Sequence, residues 1–542
     1  MDSILQPIEA PRVQIDTPAG PAFILKLPDE ILLKIIDHLV RKVSSKRLEY
    51  RLEFFAYRPE HIEPESYAQY ELACLARTCR RFQGIATPLL YRTVRFRYEH
   101  TKFDWAAITN DLSDRVKGGK CNKKQTRGVG DHDKEMQKSQ ADYPGRDELL
   151  YRTLMENPLI RSHCRILRLN LGLNPEEEEV EEEEEERSNE DEDGPSPPPH
   201  PPRPPRPLQP PISFLRHFIK NLLTWLSNTT VLEIYISDEL SNGEIMDAIC
   251  DSLDGNLQKV QKLRIEQWHG PLLPDLYFII WSLPKLQSVI AENAGCYSPR
   301  PTYANHYSSL DKTKEPPPSL TSIDFVRGFD DDPPNLKWLL DQPLALEHFG
   351  FFLRWRDHGD FNRGWSLRVI LSLLRLQCHT LRTINIGSLY TGAWGLSGVD
   401  LSMFTALEEL TLPYQNLFSS SYSSPTRLAP REGHDAILSA PNLRKFTLDF
   451  EYSGRGNWCT LAHFGEDEEV WLRLLVTAAV QRRAKLRHVH LDFAPNRSSN
   501  KVDGLVWPWA RIDGVEVEVK GEGILITYPK PSITEEEFRG GS

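Results

Sequence analysis

The 542-residue sequence lacks several features that would assign it to common classes of protein. It has no stretch of about 18 apolar residues, and its longest apolar segment, 276–283, contains Ser282, so no membrane-spanning helix is expected. Its first residues have neither a basic region nor a continuous apolar segment, which argues against a secretory signal. It has eight cysteines and no C-x-x-C pair, which argues against both a disulfide framework and a zinc ribbon.

Motifs of common catalytic sites are also absent. The sequence contains no G-x-S-x-G, H-E-x-x-H or P-loop motif. His488 and His490 would share one face of a strand, but no third metal ligand is suggested nearby, so exposed or hydrogen-bonded histidines are the simpler interpretation. Cys378 and His379 are adjacent, and Cys378 continues the apolar face of a predicted helix, which favours a core cysteine over a nucleophile. We therefore expect no catalytic residue, metal or cofactor.

Acidic residues and prolines are concentrated in one segment. The net charge is −12, but residues 176–193 hold 14 of the 77 acidic residues and one of the 65 basic residues, so the remainder is close to neutral. Eleven of the 41 prolines lie in 195–211. Because like charges repel and polyproline favours an extended chain, the sequence predicts a disordered Glu/Pro insertion at 174–211. The near-neutral remainder gives no indication of a nucleic-acid partner.

The N-terminal region predicts a helical module. Apolar residues at three- and four-residue spacing predict a first helix with one apolar side, formed by Leu27, Ile31, Leu32, Ile35, Ile36 and Leu39. A second helix is predicted from Leu72 to Gly84. Thr87 and Pro88 are typical of a helix start and predict a short third helix.

This pattern resembles the F-box, a three-helix module that binds the Skp adaptor of cullin-based ubiquitin ligases. The resemblance rests on LPDEIL at 27–32, LARTCRRF at 75–82 and IATPLLYRTVRF at 85–96, and the last segment is most similar to fungal F-box proteins. A loop inserted at about 41–66 departs from the family. The resemblance implies that the Skp adaptor binds to Leu27, Pro28, Ile31, Leu32, Ile35, Leu75, Cys79 and Phe82. An amphipathic helical pair that packs only on its own C-terminal domain is the alternative.

From about residue 160, the apolar pattern φ-x-x-φ-x-φ occurs ten times, and from the second copy the intervals are 26 to 43 residues. The copies begin at Cys164, Val231, Val260, Leu286, Leu320, Leu346, Leu381, Leu407, Leu443 and Leu486. Strand-like copies separated by helix-like segments resemble the leucine-rich repeat, whose units stack into a solenoid with a parallel sheet. The Asn or Cys of that repeat is absent, with Gly172 and Trp268 in two of its places, so irregular repeats are expected. A compact α/β domain with a mixed sheet remains the alternative.

The predicted fold class is α/β, with an N-terminal three-helix F-box followed by an irregular leucine-rich-repeat-like solenoid. Residues 514–528, in which Val515, Val517 and Val519 alternate with glutamates, predict a terminal β-hairpin. The predicted organisation is a disordered leader at 1–20, the F-box at 21–98, a polar connection at 99–150, the repeat-like domain at 151–528 and a disordered tail at 529–542.

The two resemblances imply the substrate-recognition subunit of an SCF-type (Skp–cullin–F-box) ubiquitin ligase, which is not itself an enzyme. Its expected partners are the Skp adaptor, a cullin through that adaptor, and an unknown protein substrate. The expected location is the cytoplasm, the nucleus or both. One alternative is a scaffold that binds the Skp adaptor without a cullin, and another is an unrecognised enzyme that uses the α/β region.

Overall fold

The computed structural model describes residues 27–36, 72–97, 146–171, 212–236, 242–253, 255–267, 273–292, 294, 319–329, 333–341, 345–353, 365–387, 389, 399–417, 430–450, 464–492 and 508–529. The chain divides into two compact units, the first ending at Arg92 and the second beginning at Thr93. The predicted leader, the inserted loop, the Glu/Pro insertion and all but the first residue of the predicted tail lie outside the described residues. No helix in the described part of the chain is long and apolar enough to cross a membrane.

The first unit is helical. Its described helices are α1 (29–36), α2 (72–76) and α3 (Arg80–Leu90). They enclose a small apolar core formed by Leu32, Ile36, Leu72, Phe82, Ile85 and Ala86. The four-residue spacing of Leu32 and Ile36 places both side chains on one side of α1, which explains why this side is buried.

The second and third helices differ from the prediction. The expected helix from Leu72 to Gly84 is interrupted at 77–79, and α3 continues without a break through Gly84 and Pro88. The interruption arises because Cys79 has an extended backbone and its Sγ accepts a hydrogen bond from the Phe82 N–H at 3.5 Å, so Cys79 caps α3. Thr87 is therefore an interior residue of α3 and does not start a helix.

The second unit contains a parallel sheet. In the described residues the sheet has twelve strands, each paired in parallel with the strands before and after it in the sequence. The strands are β1 (Thr93–Arg97), β2 (Ile166–Leu171), β3 (Val231–Ile236), β4 (Lys262–Gln267), β5 (Ser288–Glu292), β6 (Ser322–Phe329), β7 (His348–Leu353), β8 (Thr383–Ile386), β9 (Glu409–Pro413), β10 (Lys445–Asp449), β11 (His488–Asp492) and β12 (Leu525–Thr527). The mixed sheet considered as an alternative is not found in these residues.

Helices connect most of the strands. They are α4 (Arg146–Glu156), α5 (Pro158–Arg161), α6 (Ile212–Trp225), α7 (Asn242–Leu253), α8 (Leu273–Ser282), α9 (Pro333–Leu340), α10 (Leu367–Leu373), α11 (Tyr414–Leu417), α12 (Pro430–Leu438), α13 (Glu466–Gln481) and α14 (Pro508–Val519). Short 3-10 segments follow α10 at Leu374–Gln377 and α14 at Lys520–Glu522. Helix α4 begins within the last residues of the predicted polar connection at 99–150. Neighbouring helices such as α6 and α7 pack on each other, so the second unit is a mixed helix and strand structure.

The two faces of the sheet differ in burial. Alternate strand residues such as Leu232 and Ile234 are buried, whereas the residues between them keep partial exposure. The buried face continues into one apolar core with the helices. It includes an aromatic cluster formed by Phe325, Phe329, Phe349, Phe351 and Trp365, whose neighbouring ring centroids are 4.8–6.5 Å apart. We call the other side of the sheet the open face.

A repeated backbone arrangement sets the start of each strand. The carbonyl immediately before a strand accepts hydrogen bonds from two consecutive N–H groups at the start of the next strand, with N···O distances of 2.7–3.1 Å. In the described residues nine carbonyls do this: those of Arg165, Thr230, Gln261, Gln287, Thr321, Glu347, Arg382, Glu408 and Arg444. These bonds pair the backbone groups that precede the strands, at the opposite end of each strand from Gly172 and Trp268.

The predicted C-terminal hairpin is wrong. Residues 508–519 form α14, and only Leu525–Thr527 form a strand, which pairs in parallel with β11. The valines alternate with glutamates, but Ile512, Val515 and Val519 are also spaced three and four residues apart, and all three are buried in the core. Packing of this helical side therefore outweighs the strand preference of valine, while Val517 remains exposed.

Candidate docking surfaces

The first candidate surface lies on α1. Ile31 and Ile35 are 41% and 37% exposed, and because they are four residues apart they lie on one side of the helix. The Leu33 side chain is 42% exposed and lies about 200° around the helix from Ile31. Helix α1 therefore presents apolar side chains on two different sides, in addition to the side that is buried.

The structure separates the eight predicted Skp-contacting residues by burial. Pro28, Ile31, Ile35 and Cys79 are exposed, Leu27 and Leu75 are partly buried against the core of the first unit, and Leu32 and Phe82 are buried within it. Only Ile31 and Ile35 form an adjacent exposed apolar pair on one helix. Leu32 has only 1% of its surface exposed, so it stabilises the helical unit from inside.

Arg81 joins α3 to the start of α1. Its Nε donates a hydrogen bond to Asp29 Oδ1 at 2.8 Å, and its second guanidinium nitrogen lies 2.6 Å from the same oxygen. The guanidinium also donates to the Leu27 carbonyl. This link fixes the N-terminal end of α1, next to Ile31, by contacts between residues more than 50 positions apart. No local pattern in the sequence pairs these residues, so the link could not be predicted from it.

The Arg81 link can be tested by replacing Arg81 with methionine, an uncharged side chain of similar length. We expect Arg81→Met to lower the free energy of opening of α1 by about 1 kcal/mol, because a partly exposed charge-assisted hydrogen bond is lost. This corresponds to roughly fivefold faster amide exchange. Hydrogen exchange with mass spectrometry on the full chain would measure the exchange rate of residues 29–36. Arg80→Met, at the exposed neighbouring position, is the control. An equal change in both variants would contradict a specific role for Arg81.

The second candidate surface is the open face of the sheet, which carries paired charges on β2–β5. Arg168 lies 2.6 Å from Glu233, and the Tyr235 hydroxyl donates to the same carboxylate at 3.1 Å. Arg264 pairs with Glu292 and lies over the Tyr235 ring, 5.9 Å from its centroid. Burial, together with the nearby Glu233 charge, raises the pKa of Tyr235, so it stays a neutral donor.

Two glycines in the middle of the open face are covered by neighbouring side chains. A Cβ atom at Gly350 would lie 2.0 Å from Asp324 Oδ1, and one at Gly387 would lie 2.0 Å from the Phe352 ring. A side chain at either position would therefore force Asp324 or Phe352 to move. Asp324 also lies 2.6 Å from His348 Nε2.

The C-terminal part of the open face carries histidines. His488 Nε2 and His490 Nδ1 lie 2.6 and 2.8 Å from Thr527 Oγ1. On the neighbouring strands, Lys445 pairs with Glu409 at 3.4 Å. In the described part of the chain, no three His, Cys, Asp or Glu side chains lie close enough to hold a metal ion.

Cys378 and His379 are not arranged as a nucleophile and its base. Cys378 is buried in the core, whereas His379 is exposed and its Nδ1 lies 3.1 Å from Thr405 Oγ1. This placement agrees with the sequence interpretation of Cys378 as a core residue.

Residues 24–97 match the F-box-like family, and the match includes α1, α2, α3 and β1. The chain therefore carries an F-box-like domain, and F-box domains bind Skp-type adaptors. No curated protein matches the chain at a significant level.

Proposed function

We propose that this protein is the substrate-recognition subunit of an SCF-type cullin–RING ubiquitin ligase, of the fungal F-box type, acting in the cytoplasm, the nucleus or both. The observation that carries the proposal is the F-box-like match at 24–97, with Ile31 and Ile35 exposed on α1 within it. Exposed apolar side chains that lie next to each other are typical of a protein interface.

In this proposal, Pro28, Ile31 and Ile35 contact the Skp adaptor directly. Burying the exposed parts of Ile31 and Ile35 would contribute about 1 kcal/mol each. Leu32 and Phe82 act indirectly, because they hold the helices together from inside. Cys79 acts as the cap of α3, and Leu27 and Leu75 support the core while keeping part of their surface accessible.

We propose that the second unit is an irregular leucine-rich-repeat-like solenoid that holds the target protein. In the part of the chain that the structure describes, twelve parallel strands in chain order, each next to its sequence neighbours, support this architecture. The open face is the candidate surface for the target, because its side chains remain accessible while those of the opposite face are in the core. The protein would contribute proximity and orientation to ubiquitin transfer and no reacting group.

The proposal is tested by purifying the full tagged chain from its own cells and probing for the Skp adaptor and for a cullin. We expect both to copurify. Recovery of the adaptor without a cullin would favour the scaffold alternative, and recovery of neither would contradict adaptor binding. Comparing the bound proteins with and without proteasome inhibition would identify targets, because a degraded target accumulates on the protein when the proteasome is inhibited.

A further inference from the structure

We propose that Asp324, Phe352 and Asn385 form a binding site for an arginine side chain on the open face. The proposal rests on the proposed function, because the arginine would belong to the target protein. Its starting point is an amide oxygen without a partner: Asn385 Oδ1 is buried, and no donor in the described part of the chain lies within hydrogen-bonding distance of it. Such groups are rare, because a buried acceptor without a partner destabilises the folded chain.

Two glycines next to Asn385 bring the other two groups to it. Gly350 is its register partner on β7, and Gly387 follows it by two residues, so both lie on the same face. Asp324 Oδ1 covers Gly350 from β6. The Phe352 ring covers Gly387 from β7. Asn385 therefore has a carboxylate on one side and an aromatic ring on the other.

A guanidinium suits these three groups. Neighbouring strands are about 4.8 Å apart, so Asp324 Oδ1, which lies 2.0 Å from the position of a Gly350 Cβ, is within about 7 Å of Asn385 Cβ. The N–H donors of a guanidinium point in several directions, so one arginine can donate to the carboxylate and to the amide oxygen while its plane stacks on the phenyl ring. The Asn385 side chain is partly exposed and its terminal amide turns at low cost, so Oδ1 can face an incoming donor.

The charges near the site leave Asp324 open to a cation. His348 Nε2 lies 2.6 Å from Asp324 Oδ1, which leaves the second carboxylate oxygen for a further donor. An imidazole carries a full positive charge only when it is protonated, so it balances the carboxylate less completely than an arginine would. Three cations on or beside the surrounding strands already have carboxylate partners: Arg264 with Glu292, Arg382 with Glu347 and Lys445 with Glu409.

NMR of the full chain labelled with ¹⁵N-asparagine tests the proposal through the side-chain amide signal of Asn385, which Asn385→Leu assigns by removing it. The probe is N-acetyl-arginine methylamide, and we expect it to shift this signal saturably. Its uncharged isostere, N-acetyl-citrulline methylamide, should bind at least about fivefold more weakly, because the ion pair with Asp324 is lost. Asp324→Asn should weaken binding of the arginine probe by a similar factor.

The side-chain amide of Asn170 is the matched control. It is partly exposed on β2 of the same face, six strands away from β8, and its signal should not move. An equal shift of both amides, equal binding of the two probes, or no shift of the Asn385 signal would overturn the proposal.

The melting temperature of Asn385→Leu gives a second test that needs no ligand. Because the change removes a buried acceptor that has no partner, we expect the melting temperature of the free chain to stay the same or to rise. A lower melting temperature would assign Asn385 to stabilising the fold and would overturn the proposal. Both tests proceed without the Skp adaptor, so their failure is distinct from a failure of the copurification that tests the proposed function.

Discussion

Replacing Ile31 and Ile35 together with aspartate is expected to abolish copurification with the Skp adaptor. Both side chains are exposed on one side of α1, so the module can still fold while its apolar contact is replaced by two charges. Burying unpaired carboxylates in an apolar interface costs several kcal/mol, which corresponds to a loss of affinity of more than about a hundredfold. The measurement is quantitative recovery of the adaptor with the full chain.

Leu33→Asp provides the matched control. It introduces one carboxylate, where the double variant introduces two, on the same helix at a position of similar exposure, about 200° around the axis from Ile31. We expect adaptor binding to persist in this variant. Unchanged recovery of the adaptor with the Ile31 and Ile35 double variant would contradict the proposed contact side of α1.

Leu32 is unsuitable for this experiment, although it is next to Ile31 and belongs to the same predicted set. Its side chain is buried among Ile36, Phe82 and Ile85. Leu32→Asp would place a charge in the core of the module and unfold it, so a loss of binding could not be assigned to the interface.

Replacing Phe351 with alanine is expected to give the largest loss of stability in the second unit. Phe351 is fully buried on β7 and contacts the rings of Phe325, Phe329, Phe349 and Trp365. Truncating it leaves a cavity in a packed aromatic cluster, which costs about 3–5 kcal/mol. The loss should appear as a lower melting temperature and as faster amide exchange in β6–β8.

Phe352→Ala is the control for this prediction. Phe352 is the next residue on the same strand, but it points to the open face, where it covers Gly387 and stays partly exposed. Its replacement removes the same number of atoms without opening a cavity in the core, so we expect a cost below about 2 kcal/mol. A loss as large as that of Phe351→Ala would mean that burial does not explain the difference between the two positions.

The sheet could be predicted from the sequence to a large extent, because its signal is local and repeated. All ten copies of the apolar pattern coincide with strands, β2 to β11. The strands at the two ends differ in how they relate to the sequence. β1 was not predicted, because it lies within the segment that resembles the F-box. β12 lies within the predicted hairpin at 514–528, but it pairs in parallel with β11 and follows a helix whose valines alternate like those of a strand.

The candidate docking surface could be predicted less completely. Spacing along α1 predicted a helix with an apolar side, but it did not separate Ile31, which is exposed, from Leu32, which is buried. Which of the two is buried depends on where α3 packs against α1. That packing is made by residues far apart in the chain, so spacing along α1 does not reveal it. The same limit applies to Arg81 and Asp29, whose contact spans the region between α1 and α2.

The carbonyl bonds at the strand starts have a consequence for how this protein tolerates changes in length. The Arg165 carbonyl accepts hydrogen bonds from the Thr230 and Val231 N–H groups at the start of β3, and Ile166 pairs with Val231 although 40 residues separate β2 from α6. Alignment between neighbouring strands is thus independent of the number of residues between them. We therefore expect that segments between strands can lengthen, shorten or change composition without shifting any side chain from one face of the sheet to the other.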